Sequence, residues 1–321
     1  MIVDLQHRPR IGPYILTRDL GPTVAFGAGG GGASMSFEER AARAGRVSLS
    51  ARPQPDRFLA LHEDHQTSHV AYRFAPLGGK AEEGRLIAAV ESAALLEHPH
   101  ALKIQQFTFD ITGQAWVITP FSGDVDGLRS LTRLLREKGG QMSPVEAERV
   151  MHQLFEVIAL AHGGGALQPP PGKQFDGVSA VSGATSGVAR AVGCHGPISM
   201  DEVLVDRRGS LLVELYGLAR ALHNGQRPTM ETLRDEIRSV VEIGYQLITG
   251  LRAEHPLIPA GRLVRRLDAK WDAWLNRGLD PSAGFDTAEA AMGSLPTNLR
   301  SGATRATNRS AKARQETTRG S

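Results

Sequence analysis

The stretch that most constrains this chain runs from Cys194 to Arg220. Two short apolar runs with strand character, Val203-Leu204-Val205 and Leu211-Leu212-Val213, flank the turn-rich tetrapeptide Asp206-Arg207-Arg208-Gly209. Apolar runs of that length around an Asp/Gly-containing turn read as a β-hairpin. The first strand is entered through His195-Gly196-Pro197, and the second leaves through Tyr216-Gly217. Helical stretches lie on either side of this stretch in the sequence.

Those helices are legible. Upstream, Ser143-Pro144-Val145-Glu146 is a capping box with Pro at the first helical position. Val150, Leu154, Val157, Ile158 and Ala161 then form one apolar face. Downstream, Asp235 to Gly250 carries Val240, Ile243, Leu247 and Ile248 as the apolar contacts of a second helical stretch. Nearer the N-terminus, Arg57-Phe58-Leu59-Ala60-Leu61 and His69 to Phe74 alternate as half-buried strands do. Glu82 to Glu97 reads as a helix, and Ala101 to Ile104 and Gln114 to Pro120 as two further strands.

In this order the elements resemble the serine/threonine protein kinase family, bacterial type, whose signatures are H-R-D-x-K-x-x-N, a short hairpin, then D-F-G. The resemblance covers about Ile11 to Leu295. It implies an α+β, two-lobed protein-kinase-like fold, with a small antiparallel-sheet lobe and a larger helical lobe. Residues 1–10 would be a lead and 11–121 the small lobe, carrying a Gly-rich insert at about 27–54. Residues 122–295 would be the large lobe with a Gly/Pro-rich insert at about 163–193, and 296–321 a basic tail. The inserts, with Gly29-Gly30-Gly31-Gly32 in one and Pro169-Pro170-Pro171 in the other, are expected to be flexible.

The same resemblance implies lost chemistry. His195 stands at the loop His, Pro197 at the catalytic Asp, Ser199 at the Lys and Glu202 at the metal-binding Asn. Leu215 replaces the magnesium-binding Asp, Tyr216 the Phe, and Gly217 is retained. Kinases need the first Asp to take the substrate proton and the second to hold magnesium; a prolyl ring and a leucyl side chain do neither. Glu214 lies one residue from the metal position, a step that along a strand points to the opposite face. Arg73 stands at the phosphate-binding Lys of the V-A-x-K strand, and its planar fork is no neutral replacement. The Glu that pairs with that Lys falls on Ala89, with Glu91 about 200° away around a helix. Glu236 stands where the family ties its central helix to the catalytic loop. Gly284 replaces the Arg of a D-P-x-x-R-F element whose A-P-E partner is also missing.

The expectation is therefore a pseudokinase-like module, not an enzyme, acting as a regulatory or scaffolding interaction protein. No cofactor is expected. The rival reading is an atypical kinase-fold enzyme that keeps ATP and magnesium, with Glu202, Asp206 and Glu214 as metal ligands and His195 as base. His62, His65 and His69 read as a solvated turn, and Asp124 with Asp126 as a hinge, because neither has the rest of a ligand pattern.

Composition narrows the partners. The tail from Arg300 carries six basic residues against Glu316, so the body is near neutral although the chain is +3 overall. The tail has no aromatic residue for base stacking, so a protein partner is expected rather than nucleic acid or membrane. The one cysteine, Cys194, excludes an internal disulfide and any cysteine-based metal cluster within one chain. The opening residues lack a secretion-signal pattern and no apolar run reaches spanning length, so the expected location is the cytoplasm.

Overall fold

The computed structural model describes residues 8–22, 55–124, 127–163, 193–218 and 229–296. The Gly-rich run, the Pro-rich insert, Asp126, Arg220 and the basic tail lie outside the described residues.

The N-terminal part is an antiparallel sheet crossed by one helix. Strands β1 (Arg10–Ile11), β2 (Tyr14–Pro22), β3 (Asp56–His62), β4 (Ser68–Arg73), β5 (Gln106–Phe109) and β6 (Ala115–Pro120) pair in the order β1-β2-β3-β4-β6-β5. Helix α1 (Lys80–Ala94) joins β4 to β5 and buries Leu86 and Val90. The register sets Arg57 opposite Tyr72, and Tyr72 opposite Val117. Period-two alternation then gives each face its own apolar set. Val70, Tyr72, Phe74 and Val117 pack on α1, whereas Ala60, Ala71, Trp116 and Ile118 form a separate cluster with Phe58.

The C-terminal part is helical. It holds α2 (Leu131–Glu137), α3 (Pro144–His162), α4 (Met230–Thr249), α5 (Ala260–Leu263), α6 (Ala269–Leu279) and α7 (Ala288–Gly293), with the two-stranded hairpin β7 (Val203–Val205) and β8 (Leu211–Val213). The capping box forms as its spacing predicts: the Ser143 hydroxyl accepts from Glu146 N at 3.3 Å, and Glu146 Oε2 accepts from Ser143 N at 3.0 Å. The hairpin closes in register, Val203 opposite Val213, with Asp206 Oδ1 accepting from Arg208 N and Ser210 N and Gly209 at φ 79°. Helix α4 lies buried along much of its length against α3 and α6, with Val240, Leu247 and Ile248 fully enclosed. None of the described helices is long and apolar enough to cross a membrane.

Two sequence-based boundaries are corrected. The strand expected at Ala101–Ile104 does not form in the sheet; the sheet strand is β5, a few residues later. The 101–104 backbone turns instead to the hairpin, where Leu102 N donates to Val213 O at 3.0 Å and Val213 N to His100 O at 2.8 Å. That strip stitches the two parts together. The helix expected at Glu82–Glu97 begins at Lys80 and ends at Ala94, with Leu95 as its cap.

Candidate functional site

The hairpin and its two flanking loops sit where the sheet meets the helical part, and α4 holds them from beneath. Glu236 of α4 is fully buried, and its carboxylate gathers donors from three directions. Gly196 N donates to Oε2 at 3.3 Å, Cys194 Sγ at 2.5 Å and His162 Nε2 at 3.2 Å, while the Tyr216 hydroxyl donates to Oε1. Burial pushes this carboxyl up, but the His162 hydrogen bond and charge outweigh it and leave Glu236 below the ordinary carboxylate value. One helix turn on, Ser239 Oγ accepts from Ile198 N at 2.8 Å. The loop from Cys194 to Ile198 is thus tied to α4 at two levels.

His195 is enclosed, with 1% of its surface exposed. Its Nδ1 accepts from Gly217 N at 3.0 Å, so in the neutral ring the proton is on Nε2. That Nε2 lies 3.8 Å from Glu202 Oε1 and, among the described residues, makes no hydrogen bond. A ring so committed braces one loop against the other; it presents no basic nitrogen to a cleft.

The four degenerate positions differ in burial and in partners. Pro197 is half-buried and Ser199 is exposed. Glu202 folds back on its own turn, its Oε2 accepting from Ser199 N at 2.9 Å and its carbonyl from Glu214 N at 2.8 Å. Leu215 has φ 43°, in the left-handed region uncommon for a branched side chain, and is buried among Leu86, Val90 and Leu102.

Glu214 behaves unlike its place in the sequence suggests. The alternation rule holds only along a strand, and β8 ends at Val213. The chain turns there, and the Glu214 side chain rises to the underside of the sheet. It accepts from Tyr72 OH at 2.6 Å and from Arg57 Nη1 at 3.3 Å on both oxygens. Arg57 is 11% and Glu214 4% exposed, so this is a buried ion pair joining β3 to the loop after β8. Burial raises the Glu214 carboxyl, and the Glu202 charge adds to this, while Arg57 and Tyr72 oppose it; the net shift is upward. Burial also raises Tyr72 well above its usual value.

Arg73 is elsewhere. Its guanidinium stacks over Phe58 at 5.1 Å and Trp116 at 5.9 Å, and pairs with Asp56 at 2.7 Å. These lie on the opposite sheet face from α1, so Tyr72, one residue earlier, is the β4 side chain that reaches the loops. Glu91 is on the exposed side of α1. The sequence reading passed over Arg57 and Tyr72. The available signal was a cross-strand pair, Arg57 and Tyr72, with a cation on the face that α1 covers.

Among the described residues the one grouping of three metal-capable side chains is His162, Cys194 and Glu236, with ligand atoms within 4.8 Å of one another. The 2.5 Å from Cys194 Sγ to Glu236 Oε2 is a hydrogen bond. In this structure His162 and Cys194 both hydrogen-bond to the Glu236 carboxylate. Neither Glu202 with Glu214 nor the His62, His65, His69 turn forms such a group.

No family model and no curated protein matches the chain. Solved structures do. The Mycobacterium tuberculosis PknI kinase domain superposes with a TM-score of 0.58 at 15% identity, over 89% of this chain and 96% of that one. A point variant of the same domain gives 0.57 over the same shares at the same identity. At that identity the likeness speaks for architecture: the chain carries the protein-kinase fold, a curled antiparallel sheet lobe on a helical lobe.

Proposed function

We propose that this protein is a pseudokinase-type module, a regulatory or scaffolding interaction protein that performs no phosphoryl transfer. The observation that carries the reading is the buried Arg57–Glu214–Tyr72 cluster. It occupies the space between the sheet and the loops, where the fold would place a nucleotide's phosphates and their metal. A carboxylate engaged by a guanidinium and a phenol has most of its lone-pair sites taken, and a guanidinium brings positive charge without a metal. Pro197 and Leu215 supply neither a proton acceptor nor a metal ligand, and His195 is turned inward.

The test is a thermal-shift titration with ATP, with and without magnesium or manganese. A ligand that binds only the folded state raises the melting temperature as its concentration passes the dissociation constant. No shift at millimolar nucleotide is the expected outcome, and a clear metal-dependent shift overturns the occluded-cleft reading. One observation favours the rival. Glu202 and Glu214 are close enough for like charge to raise the Glu214 carboxyl, a strain that a divalent cation would relieve. Metal-dependent ATP turnover abolished by Glu202→Ala would establish the atypical enzyme instead.

A further inference from the structure

Helix α4 presents a second face to the rest of the helical lobe. Arg234 and Arg238, four residues apart, share one side of it, about 200° around from Glu236 and the loops. With Arg277, in the last turn of α6, they converge on a pocket of about 310 Å³ that is also lined by Phe285, Gly284 and Asp286. Three guanidiniums against one carboxylate make the lining cationic.

The three arginines are held to different degrees. The Arg277 guanidinium lies over the Phe285 ring at 4.7 Å, and Phe285 is buried, so the fork is prepositioned. The guanidinium keeps five N–H donors in a fixed planar fork. Among the described residues no carboxylate pairs with Arg277. Arg234 pairs with Asp286, but these side chains are 49% and 67% exposed, so the pair is weak and screened by salt. Arg238 pairs with Asp235 at 2.9 Å on the rim. An incoming anion thus finds one fork without an acid partner and a second that exchanges its partner at little cost.

We infer that this pocket binds a phosphate monoester. Its volume is at the low end for small-ligand sites. A phosphomonoester carries about −1.5 to −2 charge and three acceptor oxygens near pH 7, which matches several arginine forks better than a carboxylate's single charge. The monoester is carried either by a phosphorylated side chain of a partner protein or by a free phosphorylated small molecule. The inference is independent of the cleft reading, because the pocket shares no residue with the Arg57–Glu214 cluster.

The experiment uses the full chain and calorimetric titration with phosphothreonine, with a phosphothreonine peptide and with its unphosphorylated counterpart. Phosphorylated probes are expected to bind, and affinity to fall about tenfold or more in Arg277→Gln, the loss of one charge-assisted contact. Tighter binding of the peptide than of phosphothreonine assigns a protein partner; equal binding assigns a small molecule. Absence of binding by either phosphorylated probe at millimolar concentration overturns the inference, as does undiminished binding in Arg234→Gln/Arg277→Gln. Should Arg277→Gln not fold, Arg277→Lys keeps the charge without the fork and must still weaken binding.

Discussion

Arg57 and Glu214 show how a buried charge behaves when its partner is removed. Taking away the guanidinium strands a carboxylate that is 4% exposed, whereas replacing both side chains by apolar ones removes the desolvation cost with the pair. Arg57→Ala is therefore expected to cost about 3–5 kcal/mol, and Arg57→Met with Glu214→Leu to lie within about 1–2 kcal/mol of the parent, of either sign. Urea denaturation of the single and double variants measures both. A double variant that loses as much as the two single variants added together would show that the pair is not coupled. The position of Glu214 was not legible from its neighbours, because alternation fails one residue past the end of β8. Arg73 was misleading for a related reason: the V-A-x-K likeness identifies a strand, but a one-residue difference decides which sheet face a side chain occupies.

Helix α3 was legible to the residue, since a capping box is a local device whose donors and acceptors lie three positions apart. Ser143→Ala is expected to cost about 1 kcal/mol. Glu146, held to about 2 by Lys138 and by the Ser143 hydroxyl and amide, adds a pH signature. Its folded value is below the ordinary 4.5, so its contribution is complete above 4.5 and is lost as pH falls through about 2. The pair is exposed, so solvent screening keeps the effect to a few tenths of a kcal/mol. Melting of Glu146→Gln and the parent should converge in acid; a gap unchanged with pH would contradict the assignment. The strand expected at Ala101–Ile104 fails at this same scale. Its apolar pattern is real, but its backbone partners belong to the hairpin of the other lobe, and no local signal names them.

At the scale of the molecule, the lobes share a core. Leu204, Leu215 and Leu218 from the hairpin and its exit pack with Val70, Tyr72, Leu86 and Leu102 of the sheet and α1. Unfolding one lobe would expose that surface on the other, so the described body is expected to unfold in one cooperative step. Near-UV and far-UV circular dichroism should give coincident transitions in denaturant, and two separated midpoints would show that the lobes are independent.

The sequence by itself determined the order of the elements, the hairpin, the helix cap and the absence of a proton acceptor at Pro197 and of a metal ligand at Leu215. These rest on residue identity or on spacings of a few positions. Only the tertiary structure decided that Glu236 gathers Gly196, Cys194, His162 and Tyr216, and that Arg57 and Tyr72 meet Glu214 across 157 and 142 positions of chain. Such contacts depend on which face each element turns to a neighbour formed far away, and packing, not local pattern, settles that.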